Sequence, residues 1–105
     1  MSKELTADTF ESAVVSSELP VLVDFWAEWC GPCRALGPVV EEVARDLDGR
    51  LEVYKCNVDE QGELAQRFSI MSIPTLILFK NGIVTHTMVG SMPKAKLMAE
   101  LSAHL

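Results

Sequence analysis

The apolar residues of the chain fall into short runs and regular stripes, separated by Gly, Pro and Asn, and each run predicts an element. From Asp8 onward Phe10, Ala13 and Val14 recur at helical spacing. Asp8 is placed to cap the first amides and Glu11 stands three residues on, so a helix is expected there until Glu18-Leu19-Pro20 stops it. Val21-Leu22-Val23-Asp24-Phe25-Trp26 has the β-branched and aromatic pattern of a strand buried on both faces, with Asp24 as the misfit. Beyond Cys33, the residues Leu36, Val39, Val40, Val43, Ala44 and Leu47 form one apolar stripe at three- and four-residue steps, with Glu41, Glu42, Arg45 and Asp48 opposite. This is the longest predicted helix. Pro38 removes one of its amide donors and should bend it, and Asp48-Gly49 closes it.

Leu51 to Val58 predicts another strand, and Asp59 is placed to cap a short helix carrying Leu64, Ala65 and Phe68 despite Gly62. Thr75-Leu76-Ile77-Leu78-Phe79 and Ile83 to Val89 flank Lys80-Asn81-Gly82, and Asn-Gly between two apolar runs predicts an antiparallel hairpin. Pro93 stands near the start of a last amphipathic helix with Leu97, Met98 and Leu101. The alternation of elements therefore predicts an α/β fold, a central mixed β-sheet with helices on both faces.

Composition narrows the function classes. A chain of 105 residues with 49% hydrophobic and 23% charged residues is expected to fold as a single domain over residues 1–105, not to be disordered. Lys plus Arg number 9 against 15 Asp plus Glu, and the resulting charge of -6 opposes phosphate backbones and anionic lipid, so neither nucleic acid nor membrane is an expected partner. The first residues lack the apolar core of a signal peptide, and no apolar run approaches the ~20 residues that span a bilayer, so a cytoplasmic protein is expected.

Of the 3 cysteines, two stand in Trp29-Cys30-Gly31-Pro32-Cys33, between the buried strand and the longest helix. A helix start offers free amides and the positive end of the macrodipole, an effect of about 0.3–1 kcal/mol that reaches ~2 when partly buried. That lowers a thiol pKa by roughly one unit. A more acidic thiolate is also a weaker nucleophile, so the net gain in rate from acidity is small. The larger advantage is that Cys33, one turn away, resolves a mixed disulfide intramolecularly. Cys30 is thus read as the attacking thiolate and Cys33 as the resolving thiol. Other chemistries fit less well. Structural zinc needs about four ligands, and only Cys56, His86 and His104 remain, without a second Cys-x-x-Cys or paired His. A c-type haem needs His where Arg34 stands, and an inert disulfide is rare in a reducing compartment.

The stretches Leu5-Thr6, Val23 through Cys33, Lys55-Cys56-Asn57-Val58-Asp59, Ile73-Pro74-Thr75, Phe79-Lys80-Asn81-Gly82 and Val89-Gly90, in that order, cover essentially the whole chain and resemble the thioredoxin family. The resemblance implies the thioredoxin fold, with a parallel amino-terminal βαβ part, an antiparallel carboxy-terminal hairpin and about four helices. The stretch before Leu5 leaves room for a first strand of only a few residues. It implies a general protein-disulfide reductase, acting as a monomer on disulfide-containing proteins and recycled by a thioredoxin reductase. The chain has no Gly-x-Gly-x-x-Gly or phosphate loop, so it is expected to need no cofactor beyond its cysteine pair, with NADPH and flavin on the reductase, and no metal. A redox-sensitive docking module that uses the same residues without turnover is the alternative.

Residues around the pair are read with the same resemblance. By pattern alone Asp24 is either a carboxylate facing solvent at a strand end or a buried one whose pKa is raised until it can accept the Cys33 proton through water. The family's buried aspartate selects the second. Lys55 matches the lysine that partners it; otherwise it reads as a surface residue of an alternating strand. An X-Pro bond is trans in most folded proteins, but the resemblance implies a cis Ile73-Pro74 bond facing the cysteines, with the Ile73 backbone pairing to an extended substrate. Trp29, Ile73, Val89 and Gly90 would form an apolar rim around Cys30, with Pro74 closing the site and Trp26 packed beneath it. Cys56 reads as a small buried hydrophobe, Met71, Met88, Met92 and Met98 as core or rim packing, and His86 and His104 as a strand-face residue and a residue of the frayed carboxyl end.

Overall fold

A computed structural model describes residues 2–105. The uninterrupted apolar run of β2 (Val21–Trp26) needs cover on both faces and both edges, and it lies in the centre of a five-stranded sheet. On one side β3 (Glu52–Asn57) runs parallel to it, followed by the two-residue β1 (Lys3–Glu4), also parallel. On the other side β4 (Thr75–Lys80) runs antiparallel, followed by β5 (Ile83–Val89), giving the order β1-β3-β2-β4-β5. α1 (Gly31–Asp46), α2 (Gly62–Arg67) and α3 (Lys94–His104) follow β2, β3 and β5, and a π-type helical turn, Glu11–Val15, follows β1.

Strand alternation sends Leu22 toward α1 and α3, where it joins Leu36, Val40, Val43, Leu97 and Leu101 in one core layer. Val21, Val23 and Phe25 point the other way, toward Phe10, Val14 and Leu64. That second layer is aromatic, with ring centroids 5.4 Å apart for Phe10 and Phe68, 5.8 Å for Phe10 and Phe79, and 5.2 Å for Phe68 and Phe79. The β4–β5 turn takes positive φ at both Asn81 (54°) and Gly82 (78°), as a two-residue hairpin turn of this hand requires.

Two caps differ from expectation. The first helical turn is capped by Thr6 and Thr9, not by Asp8 and Glu11. The Thr6 amide donates to Thr9 Oγ1 at 3.0 Å and the Thr9 amide to Thr6 Oγ1 at 3.3 Å, so the chain enters the turn two residues earlier. The turn then widens, with the Ser16 amide bonding Glu11 O at 3.0 Å. Asp59 does not cap α2 either. Asn57 Oδ1 takes the Asp59 amide at 2.9 Å, and α2 begins at Gly62 with no side-chain cap.

Candidate active site

β2 delivers the chain to α1 through Ala27, Glu28 and Trp29, and Cys30 is the α1 N-cap, with extended φ and ψ of -91° and 110°. In that conformation its sulfur turns back over the first helical turn, where Sγ accepts the Cys33 amide at 3.1 Å. Pro32 lies in the first turn, where its missing N–H leaves no bond unmade. Cys30 and Cys33 are joined by a disulfide, with Cα atoms 5.2 Å apart, and are 5% and 2% exposed. Ala27 is buried with them, and Trp26, Val58 and Ile73 pack against the pair.

The sheet brings the second half of the chain to the same place. The Ile73–Pro74 bond is cis, and Ile73 O lies 3.8 Å from Cys30 Sγ. Pro74 O accepts the Gly90 amide at 2.8 Å, so Val89 and Gly90 stand beside Pro74, and Gly90 has a φ of 96° that only glycine takes readily. Trp29 (72% exposed), Met71 (92%) and Val89 (63%) present large apolar surface around this point. A groove of about 250 Å³, lined by Met71, Ser72, Thr75, Val84 and Val89, adjoins it. The Trp29 indole is held by its Nε1–H, which donates to Asp59 Oδ2 at 2.9 Å. Sequence reasoning missed this bond because Asp59 also suits a helix cap; only the fold shows which amide or indole reaches it.

Asp24 lies on the α1 face of β2, fully buried, with Lys55 of β3 and Leu76 of β4 as its register neighbours. Neither carboxyl oxygen has a hydrogen-bond partner among the described residues. Burial pushes this carboxyl up to about 7, Lys55 pulling it down and Glu41 pushing it further up. Lys55 makes no ion pair with Asp24 among the described residues; its ammonium lies over the Trp26 ring, 4.4 Å from the centroid. The coupling between the two is therefore through space, not through a hydrogen bond.

The remaining candidates lie elsewhere. Cys56 is buried in the aromatic layer, where desolvation pushes its thiol up to about 11. Met88 and Met92 are core residues and Met98 packs against the core. His86 and His104 stack with ring centroids 4.0 Å apart, and His86 Nε2 lies 3.1 Å from Glu100 Oε1, so the carboxyl end is docked on β5. Among the described residues no group of three His, Cys, Asp or Glu is placed to hold a metal, and no helix is long and apolar enough to cross a membrane.

The family profile described as Thioredoxin matches residues 1–103. The chain belongs to the thioredoxin family. It is 47% identical to Thioredoxin 1 of Nostoc sp. over 97% of this chain and 95% of that protein. It is 49% identical to the thioredoxin of Rickettsia bellii over 93% of each chain, and 48% identical to that of Pseudomonas aeruginosa over 96% and 94%. Thioredoxins are protein-disulfide oxidoreductases, and Cys30–Cys33 is the redox-active disulfide of this one. Its family brings disulfide-containing substrates and a reductase as the classes of partner.

Proposed function

We propose that this chain is a single domain over residues 1–105 that works as a monomeric cytoplasmic electron carrier, reducing many protein disulfides and recovering its dithiol from a thioredoxin reductase. The observation that carries this reading is the position of Cys30 Sγ, over the first turn of α1, bonded by the Cys33 amide and facing the Ile73 carbonyl. In the reduced protein the same amide and the α1 dipole stabilise the Cys30 thiolate. An extended target segment pairs with the Ile73 backbone, while Trp29, Pro74, Val89 and Gly90 grip it by shape, which suits varied partners. Gly31 and Pro32 keep the turn between the sulfurs narrow.

Cys30 Sγ attacks one sulfur of the target disulfide, and the other target sulfur leaves as a thiolate that takes up a proton. Cys33 then gives its proton to Asp24 through an intervening water, and Cys33 Sγ attacks Cys30 Sγ, releasing the second target thiolate. The target has gained two electrons and the Cys30–Cys33 disulfide has formed. The dithiol is restored when two electrons, which the reductase would take as a hydride from NADPH, return to Cys30 and Cys33 and the second proton is taken from solvent. Asp24 suits its part because its proton affinity is poised near neutrality, and Lys55 keeps it from rising further. Nucleic acid and membrane have no part in this cycle. Insulin reduction with dithiothreitol, or with NADPH and thioredoxin reductase, tests the assignment: Cys30→Ser should fall to the uncatalysed rate, and an undiminished rate refutes it.

A further inference from the structure

Lys55 is the register neighbour of Asp24, and the half-buried Glu41 belongs to α1, the helix on that face of the sheet. Glu41 lies one turn after Gly37 on the same face of α1. At Gly37 that face meets Lys55, since a Cβ placed there would stand 3.9 Å from Lys55 Nζ. The Glu41 carboxylate is also fixed in place. The Ser2 amide donates to its Oε1 at 3.0 Å, and the Ser2 hydroxyl donates to its Oε2. Ser2, just before β1, therefore clamps the Glu41 carboxylate on the helix face that meets Lys55 at Gly37, without an ion pair to Lys55 among the described residues, while Asp24 is the register neighbour of Lys55 in the sheet.

Other charged groups near Lys55 are differently placed. Glu4, its register neighbour on β1, is exposed, and Glu60 lines a shallow cleft with Glu4 and Lys55. β4 places the apolar Leu76 beside Asp24, and α1 approaches Lys55 at Gly37. Of these carboxylates, only Glu41 is held by hydrogen bonds among the described residues.

We infer that Glu41 is a positioning residue for the thiol chemistry: clamped by Ser2, it draws the Lys55 ammonium away from Asp24 and so keeps the buried carboxyl able to take up a proton. The electrostatics run the same way. Burial pushes the Glu41 carboxyl up, but the Ser2 hydroxyl and amide and the Lys55 charge outweigh it and hold it below its ordinary value. Glu41 in turn pushes Asp24 up. The inference rests on the reading of Asp24 as the acceptor of the Cys33 proton.

Glu41→Gln keeps an acceptor for Ser2 and removes the charge. Carbon NMR titration of the Asp24 carboxyl in the reduced protein should then show its midpoint lower by about half a pH unit, about a threefold loss of proton affinity. The pH profile for target release from the mixed disulfide should move with it. Glu42→Gln removes a charge from the next position, where Lys94 is the partner at 3.3 Å, and should move neither. In a Lys55→Gln background the effect of Glu41→Gln should shrink. An unmoved midpoint, an equal shift in Glu42→Gln, or an effect undiminished without Lys55 overturns the proposal. A midpoint that moves while release does not follow, with Asp24→Asn releasing target normally, overturns the proton-acceptor reading and with it Glu41's place in the reaction; the electrostatic coupling then stands alone.

Discussion

Cys30 and Cys56 are 5% and 0% exposed, so burial does not distinguish them; what each sulfur touches does. Cys30 Sγ sits on the first turn of a sixteen-residue helix, bonded by a backbone amide that favours an anion. Cys56 sits between Phe25, Leu64 and other apolar side chains of the second core layer, and desolvation alone pushes its thiol up. A buried thiol becomes reactive only where the backbone supplies the compensation that water no longer can.

The contrast breaks first if Cys30 can be replaced without loss. Cys30→Ser should abolish catalysed insulin reduction, a loss of several orders of magnitude, whereas Cys33→Ser should leave a trapped mixed disulfide with the target detectable by mass spectrometry. The next largest effect concerns the other buried titratable group. The Asp24 carboxyl moves from an ordinary value of 3.8 to about 7 on folding, so between those pH values the unfolded chain sheds a proton that the folded chain keeps. Stability is fully retained below about pH 4 and falls as pH rises through 7, by about 4 kcal/mol from this group. Denaturant unfolding of Asp24→Asn at pH 4 and pH 8 should show that loss missing. An Asp24→Asn variant that keeps the wild-type pH slope contradicts the burial account.

A smaller effect is expected at the rim. Asp59→Ala frees the Trp29 indole from a bond worth about 1 kcal/mol, so kcat/KM for a protein disulfide should fall by up to about fivefold, with Trp29 fluorescence altered and stability nearly unchanged. The smallest sharpens the comparison from its inert side. Cys56→Ala should cost about 1–2 kcal/mol by leaving a small void, measurable by urea unfolding, and should leave insulin reduction at the wild-type rate. A drop in turnover there would make Cys56 part of the chemistry.

Much of this arrangement is legible along the chain because it is local. β2, α1 and the β4–β5 hairpin have the expected periodicity or turn residues, and their bounds lie close to the expected ones. Asp24 stands out as a misfit in an apolar run, but the pattern alone leaves it either solvent-facing or buried; the family resemblance selects burial, and Asp24 is buried. The Thr6–Thr9 cap was missed because Asp8-x-x-Glu11 two residues later has equal capping chemistry, and only the path of the chain from β1 selects between them. The His86–His104 stack and the Ser2–Glu41 clamp join residues 18 and 39 positions apart, separations that no periodicity reports.

Side-chain spacing within single elements is enough for the α/β alternation, the buried central strand and a cysteine pair at a helix start. The folded chain adds that Ile73 O comes to Cys30, that Asp59 takes the Trp29 indole, and that the charges of Lys55 and Glu41 both act on Asp24. Those relations depend on strand order and on how α1 crosses the sheet, and a Coulomb or hydrogen-bond energy is set by distance in space, not by distance along the chain.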